Sequence, residues 1–73
     1  MAKQQHELVP VNRRSTIRRI GQQLPEGQIL KTARGNGWFI VDTVKGAVVD
    51  RDSDLEALAR RVNAIEPYER LVE

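Results

Sequence analysis

The stretch QILKTARGNGWFIVDTVKGAVVD, residues 28–50, decides the fold. Short runs rich in β-branched and aromatic residues alternate there with turn-forming residues, the pattern of strands joined by tight connections. Gln28 to Arg34 is followed by Gly35-Asn36-Gly37, residues that tolerate the positive φ a hairpin needs. Trp38 to Val44 resumes the strand pattern, Lys45-Gly46 makes a second turn, and Ala47 to Asp50 forms a third short strand. Three strands joined by two short turns imply an antiparallel meander. Side chains alternate across a strand, so Trp38, Ile40 and Asp42 share one face and Phe39, Val41 and Thr43 the other. Both sets begin apolar, which points to a central strand covered on both sides. Which of Trp38 and Phe39 enters the core is left open by this pattern, and core packing is the default for the single tryptophan.

Downstream, Ser53-Asp54-Leu55-Glu56 fits a capping box, in which serine and glutamate satisfy each other's backbone amides at a helix start. Leu55, Leu58, Ala59, Val62 and Ile65 then form one apolar stripe, Glu56 can pair with Arg60, and Pro67 is expected to stop the helix near Ile65. Tyr68 reads as a lid on the core, and Leu71 and Val72 as an apolar tail folding back on the sheet. Upstream, Asn12 to Leu24 reads as a short helix capped by Asn12 or Ser15, with Ile17, Ile20 and Leu24 in one stripe. Gly21 is expected to end its regular turns, and Pro25 to prevent continuation. Residues 1–11 read as an arm: Met1 to Glu7 as a mobile tail, Leu8 to Val11 as a short edge strand or an ordered arm. The expected fold is α+β, in the order α-β-β-β-α: a three-stranded antiparallel meander, a short N-terminal helix, and a C-terminal amphipathic helix packed on the sheet. Residues 12–73 form the single domain.

A chain of 73 residues is near the lower limit for a self-sufficient core, so self-association or a partner is a natural expectation. The absence of cysteine excludes a disulfide scaffold and thiolate metal sites and fits a reducing cytoplasm. Apolar runs are too short to span a membrane, and Met1 to Glu7 is too polar for a signal peptide. The single histidine, His6, cannot build a metal cluster by itself. No cofactor is expected. Asp50-Arg51-Asp52-Ser53-Asp54 spaces its aspartates like a calcium loop, but Leu55 stands where such a loop needs glycine and the segment runs into a helix. Carboxylates belong at a strand end and a helix start in any case. Gly35-Asn36-Gly37 lacks the following helix and the Gly-Lys-Ser/Thr of a phosphate loop, which leaves a hairpin turn. No pair of groups offers a nucleophile and a base, so the expected protein is not an enzyme.

Charge gives the functional lead. Residues 1–37 hold seven basic and two acidic side chains, a net of +5, whereas residues 38–73 hold five basic and eight acidic, a net of −3. Arg13, Arg14, Arg18 and Arg19 project from the first helix, and Lys31 and Arg34 continue basic character into the first strand of the meander. Such a surface suits an acidic protein surface, and it equally suits phosphates, which guanidinium forks match well. The alternative is a merely solvated basic face, or one paired with the acidic second half. In topology alone, three strands followed by a helix are similar to small DNA-binding domains that read a groove with the sheet, and to double-stranded-RNA-binding domains. Fold likeness of this kind carries no function by itself. The leading expectation is a small protein-binding adaptor or regulator of the kind common among phage, plasmid and accessory bacterial proteins, using the basic helix face. Nucleic-acid binding through the same six residues is the alternative. The third strand is short enough to leave an edge open to pairing in a homodimer.

Overall fold

A computed structural model of the chain describes residues 8–32, 34 and 37–72. The elements are β1 (Val9–Asn12), α1 (Arg13–Gln23), β2 (Gln28–Thr32), β3 (Trp38–Asp42), β4 (Ala47–Asp52), α2 (Leu55–Arg61) and β5 (Glu69–Val72). The fold is α+β: two helices, an antiparallel sheet in the order β2-β3-β4, and a separate parallel pair β1-β5. The expected order α-β-β-β-α is thus flanked by two further strands. The expectations for the Met1–Glu7 tail, His6 and the Gly35-Asn36 part of the first turn lie outside the described residues.

The parallel pair closes the chain on itself. Val11 stands opposite Leu71, and both belong to the core with Ile20, Leu55, Ala59, Ala64 and Ile65. Two parallel strands alone are marginal in water, and here both outer edges are blunted. The amide of Val9 donates to the Tyr68 carbonyl (2.7 Å), so the alternation of the ladder turns the backbone of Pro10, which has no N–H, to the open side. On the other side, the Glu69 amide donates to the Glu66 carbonyl (2.9 Å) and the Glu69 carbonyl accepts from Arg60 (2.6 Å). Tyr68 is exposed, so it is no lid: its main chain joins the ladder while its ring faces solvent.

Local chemistry sets the helix limits. Asn12 caps α1 by accepting from the Ser15 amide (2.7 Å), and the fully buried Thr16 returns its hydroxyl to the Asn12 carbonyl (2.8 Å). Gly21 does not end α1. It keeps helical geometry on the solvent side, and the ladder continues until the Leu24 amide meets the Ile20 carbonyl just before Pro25. The cap of α2 is Asp54 rather than Ser53: its carboxylate accepts from the Glu56 amide (3.0 Å), leaving the Glu56 side chain to pair with Arg60 (2.6 Å). That helix stops four residues earlier than the apolar stripe suggests. Asn63 adopts φ 62°, and the amides of Asn63 and Ala64 return to the carbonyls of Arg60 and Ala59, a Schellman ending in which asparagine takes the left-handed position. Ala64 and Ile65 remain in the core from the loop.

In the sheet, Leu30 pairs with Ile40 and Thr32 with Trp38, whereas Ile29 pairs with Val41 and Lys31 with Phe39. Trp38 and Leu30 pack against the core, so this is the inner face and Phe39 lies on the outer one. A bulge separates Ile40 from Val41 in the pairing with β4: Asp50 meets Ile40, Val48 meets Val41, and Val49 is the extra residue. Because of it, Val48 and Arg51, three residues apart, both stand on the outer face.

Candidate interaction surfaces

The six basic residues singled out from the sequence do not form one surface. On α1, the ideal helical progression sets Arg14 and Arg18 away from the buried Thr16 and Ile20. Both are exposed and make no ion pair with the described residues. Arg19 turns the other way and donates to the Glu69 carboxylate (2.8 Å). The guanidinium of Arg13 lies 5.2 Å from the centre of the Trp38 ring, at cation–π distance. Lys31 is exposed on the outer sheet face, and Arg34 is exposed in the connection between β2 and β3.

Glu69 is the feature that sequence reasoning missed. It is buried, accepts from both the Glu66 amide and Arg19 (2.8 Å each), and so ties α1 to the start of β5. The Glu66 amide first, and Arg19 second, hold its carboxyl below the usual carboxylate range against the opposing effect of burial. No local pattern announces this contact, because its partners lie 50 residues apart in the chain.

The aspartates that resemble a calcium loop hold the fold together instead. Arg61 of α2 donates to Asp50 (3.1 and 3.2 Å), to Asp52 (2.7 Å) and to the Arg51 carbonyl (3.1 Å). The Arg61 hydrogen bonds are the main cause lowering both carboxyls, and they raise the guanidinium in turn. Asp52 also accepts from the Asp54 amide (2.8 Å), and Asp50 from the Arg51 amide (2.8 Å). The outward main chain of Arg51 is therefore covered on the edge of β4. Asp42 accepts the amides of Val44 and Lys45 (2.9 and 3.0 Å) and shapes the turn to β4. Among the described residues, no group of three or more His, Cys, Asp or Glu is placed to hold a metal ion.

The second surface is the outer face of β2-β3-β4. One cross-strand row is Ile29, Val41 and Val48, and the next is Lys31, Phe39 and Arg51. Ile29 and Val48 are 45% and 55% exposed, and an open hollow runs between Lys31, Phe39, Val41 and Val48. Neither Lys31 nor Arg51 makes an ion pair with the described residues. The alternation Phe39/Val41 was legible in the sequence, but cover on both sides was the wrong expectation, since α1, α2, β1 and β5 build their core on the Trp38 side. The bulge that brings Val48 and Arg51 onto this face left no sequence signal.

No family model, curated protein or solved structure matches this chain.

Proposed function

We propose that this protein is a small, non-enzymatic adaptor or regulator that acts by binding another protein, and that the outer face of β2-β3-β4 is its principal contact surface. The observation that carries this reading is the exposure of Ile29 and Val48 beside Phe39 and Val41 on one sheet face that no described element covers. Contiguous exposed apolar surface is a mark of association, whereas single exposed residues are not. The non-enzymatic part is supported by the structural work that six of the described acidic side chains do: Asp42, Asp50, Asp52, Asp54, Glu56 and Glu69 all hold backbone amides or arginines. No described helix is long and apolar enough to cross a membrane. The lack of cysteine supports a cytoplasmic setting.

A nucleic-acid reading is favoured by one observation, the exposure of Arg14, Arg18, Lys31 and Arg34 without ion pairs to the described residues. Capture from lysate of the source cells, with and without nuclease, separates the two. Under the adaptor reading, a discrete protein survives nuclease and is lost with Val48→Asp, but is retained with R14A/R18A. Recovery of nucleic acid, with a salt slope that falls by about one per phosphate contact removed in R14A/R18A, supports the second reading instead.

A further inference from the structure

Every charged side chain of the three-stranded sheet is sorted by sign. Asp42, Asp50 and Asp52 stand in register with Gln28, Ile40 and Trp38 on the inner face. Lys31 and Arg51 stand in register with Phe39 on the outer face, which carries no carboxylate within the strands. Inside, Asp50 and Asp52 are matched by Arg61. Outside, two cations flank an aromatic ring, beside an aliphatic row, with no carboxylate among the described residues paired to either.

Resting on the adaptor reading, we infer that the outer face docks an acidic, apolar peptide segment of a partner protein: its aliphatic side chains cover Ile29, Val41 and Val48, and its carboxylates meet Lys31 and Arg51. Charge complementarity selects this occupant. Two copies stacked face to face would bring the same cations together with no carboxylate within the strands to offset them, so this face does not suit self-association. A single strand of nucleic acid would satisfy the cations, but within the strands of this face Phe39 alone offers a ring for stacking, and the aliphatic row gives bases no such platform.

Random dodecapeptide display on the immobilised full chain, run in parallel on K31E/R51E, tests the inference. The wild-type chain is expected to enrich peptides combining aliphatic residues with Asp or Glu, and the reversed chain to lose that acidic preference. A synthetic copy of an enriched peptide should bind K31E/R51E, and the milder K31A/R51A, at least about tenfold more weakly. Urea midpoints of both variants establish that they are folded. Absence of an enriched family, or enrichment of neutral or basic peptides, overturns the inference. Acidic peptides insensitive to Lys31 and Arg51 but weakened by R14E/R18E also overturn it, while the adaptor reading stands on another surface. A dT15 oligonucleotide that binds wild type and is lost with K31E/R51E overturns both readings. A concentration-dependent dimer abolished by K31E/R51E assigns the face to a second copy and overturns the inference as well.

Discussion

The two faces of the β2-β3-β4 sheet share their backbone yet obey different rules. On the inner face, apolar side chains meet the core and each of Asp50 and Asp52 has a guanidinium partner. On the outer face, apolar side chains meet solvent, and the cations have no carboxylate partner among the described residues. The first arrangement is what stability requires of a 73-residue chain, since buried apolar area and satisfied polar groups are its main resources. The second does little for stability and leaves surface free for association. The contrast predicts that stability and binding are separable by face.

The largest effect is expected in the core. Ile20 and Leu58 have no exposed surface, so Ile20→Ala or Leu58→Ala should each lose about 2–5 kcal/mol in urea unfolding, through lost transfer energy and residual cavity. In a domain this small, that is a large fraction of the total. A loss below about 1 kcal/mol at both positions would contradict a core carried by these two buried helix side chains.

Next comes the junction of β3 with the end of β4. Gly37 adopts φ 86°, and a Cβ there would lie 2.9 Å from both the Asp52 carbonyl oxygen and the Ser53 Cα. Backbone cannot give way as a flexible side chain can, so Gly37→Ala combines left-handed strain with a clash and should cost about 1–3 kcal/mol. Gly46 has a similar φ of 68° but open space around it, so Gly46→Ala should cost less, through strain alone. Equal midpoints for the two variants would contradict the close approach.

The carboxylates give the comparison a pH axis. Asp50, Asp52 and Glu69 all have folded-state values lowered by donors, those of Asp50 and Asp52 chiefly by Arg61 and that of Glu69 chiefly by the Glu66 amide. The unfolded chain, with values near about 4, binds protons first as pH falls, so this stabilisation is complete above roughly pH 5 and is lost toward the lowered folded values. Glu69→Gln should therefore flatten the acid limb of the urea midpoint measured from pH 7 to pH 2. A curve parallel to wild type would separate the Glu69 contacts from acid stability.

These contacts also mark what the sequence could and could not disclose. The meander was legible because β-branched runs and glycine-bearing turns are local signals, and the Asn12 cap and the Glu56–Arg60 pair were legible for the same reason. The parallel pairing of Val9–Asn12 with Glu69–Val72 was not, since two four-residue strands at opposite ends of the chain carry no sign of each other. The end of α2 was misplaced because the apolar stripe runs on from Val62 to Ile65 although Asn63 has already broken the helix. Among the arginines, composition named the basic cluster, but only tertiary packing separates Arg19, held by Glu69, from Arg14 and Arg18 at the surface.

The smallest effect on stability, and the sharpest use of the comparison, belongs to the outer face. Lys31 and Arg51 stand on either side of Phe39 without a carboxylate partner among the described residues. Removing either charge gives up no ion pair, and surface substitutions of that kind fall within about 0.5 kcal/mol of wild type. Lys31→Ala and Arg51→Ala should therefore leave urea midpoints unchanged, whereas Arg61→Ala, which strands Asp50 and Asp52 on the inner side, should lower them. Two arginines ten positions apart, one on each face, would then divide cleanly: Arg61 acts on folding and Arg51 on what the folded protein meets. Destabilisation by Arg51→Ala equal to that by Arg61→Ala would erase the distinction and return the outer row to the structural framework.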